Sequence, residues 1–229
     1  MDVRKTLQDS RAWVQEQLKI SVEFWLKYGM DPKYGGVYTC LDRKGEIYST
    51  DKSVWMQGRC GWMFAHLCHV YGVKDEWLAA SKSCLDFMEK YCINRQAGDR
   101  MYFTVTEDGK PLRQRRYFYS EAFYALANAE YYGVTGEREC LERARKAYDI
   151  YWSLSHGGED PTGLGPKTIP ETRSGRAFGL PQSPEDYGGL EPSALQSVLP
   201  GPASSAALGS VLDLRNLRPQ PEVLNQNPR

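Results

Sequence analysis

Apolar side chains recur at Leu7, Val14, Leu18, Val22 and Trp25, which places them on one face of a helix over about residues 4–28, with Gly29 positioned to end it. Turn chemistry at Asp31-Pro32-Lys33-Tyr34-Gly35-Gly36 precedes a short hairpin. Its arms are Val37 to Leu41 and Glu46 to Tyr48, about a turn at Asp42 to Gly45. A second helix follows near 52–71, where Trp55, Arg59, Trp62, Met63 and His66 share a face at 3.6 residues per turn. Trp77, Ala80, Cys84, Phe87, Met88 and Tyr91 phase a third helix over about 75–92. A second hairpin has arms Met101 to Thr106 and Lys110 to Arg113, turning at Glu107-Asp108-Gly109. A fourth helix at about 118–132 carries Tyr119, Phe123 and Leu126 in phase, and a fifth at about 137–152 carries Leu141, Ala144, Tyr148 and Tyr151.

The connections alternate: long with a hairpin, short, long with a hairpin, short. Tyr38-Thr39…Asp42…Gly45 is answered by Phe103-Thr104…Glu107…Gly109 about 65 residues later, so the repeating unit is two helices plus a hairpin. Such a unit cannot bury its apolar face alone and needs stacked neighbours. The expected fold is all-α, a partial α/α toroid in which every second helix lies inside and short β-hairpins occupy the long connections. The helices after each hairpin are then the inner ones. Arg59 and Tyr119 fall near the start of theirs and project toward a shared mouth, where helix N-termini favour an oxyanion.

Composition changes past Trp152. From Pro181 onward Pro, Gly, Ser, Ala and Leu predominate and Lys is absent. The expected organisation is therefore a helical part over 1–180 and a disordered tail over 181–229. Lys+Arg 29 balances Asp+Glu 29, and no basic tract points to nucleic acid. No stretch approaches a membrane span, and the start of the chain lacks the apolar core of a secretory leader. Six cysteines without a C-x-x-C pair read as reduced core thiols of a cytosolic protein. The abundance of rings, 15 Tyr and 6 Trp, suits a carbohydrate pocket as well as a core.

The candidate chemistry centres on Arg59. A permanent cation in an aromatic and thioether stripe either pairs with a carboxylate in the core, or lines a pocket and offers its planar donors to an oxygen-rich ligand. His66 and His69, three apart on one helix, have a spacing that can bind metal. The sequence shows neither a third ligand nor a His-Glu signature, so no metal is expected. His156 lies in a Gly-rich loop and reads as solvated. Gly163-x-Gly165 lacks the strand and the Lys-Ser/Thr of a phosphate loop.

Trp55-x-Gln57-Gly58-Arg59, Asp31-x-x-x-Gly35-Gly36-Val37-Tyr38 and Tyr119-Ser120-Glu121-Ala122-Phe123-Tyr124 together resemble the N-acylglucosamine 2-epimerase family, from about residue 10 to about 180. The resemblance implies an (α/α)6 barrel of twelve helices. It also implies a cofactor-independent isomerase that inverts C2 of a reducing sugar, and a fold in which two chains can pair. Arg59 matches the family's catalytic cation, Trp55 and Tyr119 match rings lining the sugar, and Glu121 stands where a carboxylate would bond a sugar hydroxyl. The family's catalytic histidines lie in the second half of the barrel, beyond the stretch that resembles it. The chain therefore reads as a truncated copy, the alternative being a half-toroid that binds a sugar or a protein without chemistry.

Overall fold

The computed structural model describes residues 3–164. The described residues up to Thr162 form one compact unit. The tail expected over 181–229 lies outside the described residues. Helix α1 (Val3–Phe24), extended by a π turn over Trp25–Gly29, leads to a hairpin of β1 (Cys40–Leu41) and β2 (Ile47–Ser49). After β3 (Lys52–Ser53) come α2 (Val54–Tyr71) and α3 (Asp75–Tyr91). The second long connection holds β4 (Ile93–Asn94), β5 (Arg100–Met101), β6 (Thr104–Val105) and β7 (Pro111–Arg113). Helices α4 (Tyr119–Thr135) and α5 (Arg138–Ser155) complete the described chain. The helices fall within a few residues of the positions the apolar periodicity predicts. Strand β3 does not follow from the pattern: two residues carry no periodicity, and this strand exists only by pairing antiparallel with β6.

Helices α2 and α4 pack directly together, with α3 behind α2 and α5 behind α4, which is the inner and outer alternation of an (α/α)6 toroid. The inner pair approach closely because Gly58 has no side chain where α4 presents Phe123. A Cβ on Gly58 would stand 2.7 Å from the Phe123 Cβ and 2.9 Å from its backbone carbon. The core lies between inner and outer layers, on Phe64, Leu67, Cys68, Trp77, Ala80 and Cys84. Helix α1 departs from expectation. Its second half packs onto this core through Leu18 and Val22, but Leu7 and Val14 on the same face are exposed, as no described element covers them.

The two units repeat in hydrogen-bonding detail, at offsets of 63 or 64 residues. The Met30–Val37 bridge reappears as the Ile93–Met101 pair. Gly45 sits in a turn closed onto the Asp42 carbonyl at 3.1 Å, and Gly109 in one closed onto the Thr106 carbonyl at 3.0 Å. Both glycines have positive φ, and a Cβ on either would collide with a tyrosine ring, Tyr28 or Tyr91. Gln57 on α2 accepts the Val37 N–H at 2.8 Å and donates to the Val37 carbonyl at 2.6 Å. Its counterpart on α4 is Glu121, which accepts the Met101 N–H at 2.8 Å.

That equivalence corrects the reading of Glu121 as a sugar-binding carboxylate. Its side chain is buried, and Oε1 also accepts a hydrogen bond from Nε of the fully buried Arg100 at 2.7 Å. Where the first unit has Gly36, leaving room for the Gln57 amide, the second has Arg100, whose charge requires a carboxylate at the Gln57 position. Arg100 then pairs with Asp160 and donates to the carbonyls of Arg115 and Tyr117, holding the connection that delivers α4. Glu121→Gln should cost about 3 kcal/mol, the lower end for breaking a buried pair because Asp160 still faces the guanidinium. Denaturant unfolding measures this. A loss of sugar affinity without a loss of stability would restore the hydroxyl-binding role.

Between the two hairpins lies a second buried ion pair. Lys52 Nζ is 2.5 Å from Asp31 Oδ2, both side chains being wholly buried, and it donates to the Gly35 carbonyl at 2.8 Å and the Glu107 carbonyl at 3.3 Å. Burial by itself pushes the Asp31 carboxyl up. Lys52 and the backbone N–H groups of Lys33 and Tyr34 outweigh it and hold the group below its ordinary value. A folded-state pKa lowered in this way contributes stability above the unfolded value of about 3.9, and the contribution is lost as pH falls through the lower folded value. Asp31→Asn should therefore destabilise by about 3–5 kcal/mol at neutral pH. The gap from the parent chain should shrink below about pH 4. A gap independent of pH in chemical denaturation would count against the ion pair as its source.

Candidate active site

Pairing of β3 with β6 places the second hairpin against the start of α2, where the Val54 N–H donates to the Phe103 carbonyl at 3.0 Å. Phe103 thereby meets Trp55 edge-on, with centroids 5.0 Å apart and planes at 84°. Tyr119, the first residue of α4, meets the same indole at 5.4 Å and 76°, and Phe123 lies at 6.3 Å. Trp55 and Tyr119 are the same position in successive units, so the repeat itself brings these rings together.

Arg59 stands one turn beyond Trp55, with its guanidinium carbon 5.9 Å from the Phe123 centroid. It is exposed, and among the described residues no carboxylate pairs with it. Of the two readings of a cation in an aromatic stripe, the core ion pair is not formed among the described residues. The stripe is the half-covered side of α2, with Trp55, Trp62, Met63 and His66 partly buried. Gln57, Gly58, Cys60, Gly61, Phe64, Ala65, Leu67 and Cys68 are the covered side. A second guanidinium, that of Arg115, stacks 3.8 Å from the Phe103 centroid. Sequence reasoning misses Phe103 and Phe123 as neighbours of Trp55, and Arg115 as the cation over Phe103, because Phe103 and Arg115 come from a connection without helical phase. Phe123, the counterpart of Arg59, is the one that the repeat could have revealed.

The face is thus a wall of rings, half open at Tyr119, which is 51% exposed, flanked by two cations. It suits a ligand with apolar ring faces and several oxygens, such as a sugar. Glu121 lies away from it, committed to Arg100. None of the three histidines is placed as an evident partner of Arg59. His66 and His69 both engage Glu130, and the exposed His156 stacks on Trp152 at 3.9 Å with Nδ1 2.9 Å from the Trp152 carbonyl. All six cysteines are unpaired. Burial pushes the Cys140 thiol up to about 11 and the Cys92 thiol higher, which leaves both as protonated packing groups and not thiolate nucleophiles. No helix among the described residues is long and apolar enough to cross a membrane.

Sequence comparison matches residues 36–164, more than half of the chain, to the N-acylglucosamine 2-epimerase family. N-acylglucosamine 2-epimerase of Rattus norvegicus is 34% identical over 182 residues, covering 78% of this chain and 42% of the rat protein. A cellobiose 2-epimerase of Ruminococcus albus is 29% identical over 59% of this chain and 34% of its own length. Among solved structures, cellobiose 2-epimerase from Spirochaeta thermophila superposes with a TM-score of 0.60 at 26% identity, over 67% of this chain and 38% of that one. The chain thus spans about two fifths of the length of the rat relative. With the repeat, the inner-helix motifs and this match in agreement, the chain belongs to the N-acylglucosamine 2-epimerase family.

Proposed function

We propose that this chain carries the carbonyl-gripping face of a sugar 2-epimerase of the N-acylglucosamine/N-acylmannosamine type. The observation that carries the reading is the convergence of Trp55, Tyr119 and Arg59, which has no carboxylate partner among the described residues, at the starts of two adjacent inner helices. In the opened sugar, the C2 proton is acidic because the electron pair it leaves behind delocalises onto the C1 carbonyl oxygen. Holding that oxygen as it becomes an enediolate lowers the barrier, and a fixed guanidinium with two parallel donors suits the task. Trp55 and Tyr119 would bear on the sugar ring or opened chain in ground and transition state alike. Inversion requires a base on one face of C2 and an acid on the other.

The placement of the histidines favours a second reading for the isolated chain, namely sugar binding without turnover. His66 and His69 are turned onto Glu130, and His156 onto the end of its own helix, so none stands opposite another across the Trp55 face. Two outcomes follow. C2 proton exchange in deuterated water, followed by NMR with N-acetylglucosamine and N-acetylmannosamine, should stay at background for the 229-residue chain, while the sugars still perturb its tryptophan fluorescence. Clear exchange would show that the chain holds its own acid and base. In a full-length relative, Lys in place of the arginine matching Arg59 should lower kcat about 100- to 1000-fold with the fold intact. Ala in place of the tryptophan matching Trp55 should instead raise KM more than it lowers kcat. Unchanged turnover with Lys would return Arg59 to a packing role.

A further inference from the structure

Two turns along α2 from Arg59, His66 and His69 project from successive turns toward α4, where Glu130 meets both. Glu130 Oε1 lies 2.9 Å from His66 Nδ1 and 3.0 Å from His69 Nδ1, and the three ligating atoms all fall within 4.8 Å of one another. His66 is held by Trp62, whose ring stacks on the imidazole at 4.7 Å and 12°. The third ligand that the sequence does not reveal is thus supplied by the neighbouring inner helix, 64 residues from His66 in the chain.

We propose that His66, His69 and Glu130 form a binding site for a divalent transition-metal ion, best matched to zinc. Two imidazoles and one carboxylate are donors that zinc takes readily, whereas magnesium and calcium prefer all-oxygen sets. Zn–N bonds of about 2.0–2.1 Å and Zn–O bonds of about 2.0–2.2 Å put tetrahedral ligand atoms roughly 3.3 Å apart. The two N···O separations fall within a few tenths of an ångström of that spacing. The imidazoles are 45% and 62% exposed, so they can adjust without disturbing the core, while Glu130, 16% exposed, is the fixed ligand. The fourth position faces solvent. Without an ion, one carboxylate oxygen must accept from two imidazoles at once. With an ion, the same oxygen and both Nδ1 atoms share one centre, and α2 is tied to α4 at the end away from Trp55 and Tyr119.

Zinc titrated calorimetrically into the full 229-residue chain should bind one ion per chain and raise its melting temperature. His69→Gln and Glu130→Gln should each weaken binding by at least about 10- to 100-fold, the loss that even an outer-shell partner produces. Each should also abolish the rise in melting temperature, and His156→Gln should change neither. Should Glu130→Gln unfold, His69→Gln, at a mostly exposed position, still separates the outcomes. No detectable zinc binding, or binding that persists at full strength in His69→Gln as cysteine ligation would, overturns the proposal. Neither result bears on the sugar face, because the readout is metal affinity alone.

Discussion

A hairpin strand laid against a helix buries backbone groups that need partners, and this requirement fixes much of the rest. In the first unit the Val37 N–H and carbonyl are both met by the Gln57 amide. In the second, the Met101 N–H is met by Glu121, whose charge is compensated by the buried Arg100. An unmet buried amide costs about 1–3 kcal/mol, so neither inner helix can rotate or slide without a penalty comparable to a large part of a domain's stability. With α2 and α4 fixed in register to their hairpins, Trp55 and Tyr119 have no choice but to meet.

Arg100 carries that constraint into the candidate site. Its second terminal nitrogen donates to the carbonyls of Arg115 and Tyr117, the residues that lead into α4. Lys52 acts similarly on the other side by joining the turn at Asp31 to the turn at Glu107. Both cations are buried and engaged, so they belong to the scaffold. Arg59, exposed beside the Phe123 ring, and Arg115, half-buried over that of Phe103, have no carboxylate partner among the described residues. The separation follows from desolvation: a buried charge must be paired, and a charge that is to grip a substrate oxygen must not be.

The helices are legible in the sequence because 3.6-residue periodicity survives in an amphipathic chain, and the repeat is legible from its matching hairpin turns, although the backbone bonds put Thr106, and not Glu107, in the place of Asp42. The sidedness of α2 is not legible. An inner helix is covered behind by α3 and beside by α4, so Gly58, Cys60, Gly61, Phe64 and Cys68 are buried, while the indoles Trp55 and Trp62 lie on the half-covered side. Size does not separate the two sides, since the covered side holds Phe64 and the half-covered side holds Trp55 and Trp62. Glu121 misleads for a related reason: its neighbours Tyr119 and Phe123 face the site, but a residue two positions on along a helix points elsewhere.

The two ends of the inner helices divide the chemistry. Their N-terminal ends gather rings and a guanidinium without a carboxylate partner among the described residues, a surface suited to a neutral polyol whose reaction develops negative charge. Toward their C-terminal ends they gather two imidazoles about one carboxylate, a surface suited to a cation. The polarity agrees with the helix dipoles, which favour anions at N-termini and cations at C-termini by about 0.3–1 kcal/mol each. That term is small beside ligation or a fixed guanidinium. It acts on both helices in the same sense, however, and so biases the two ends of the pair toward ligands of opposite charge.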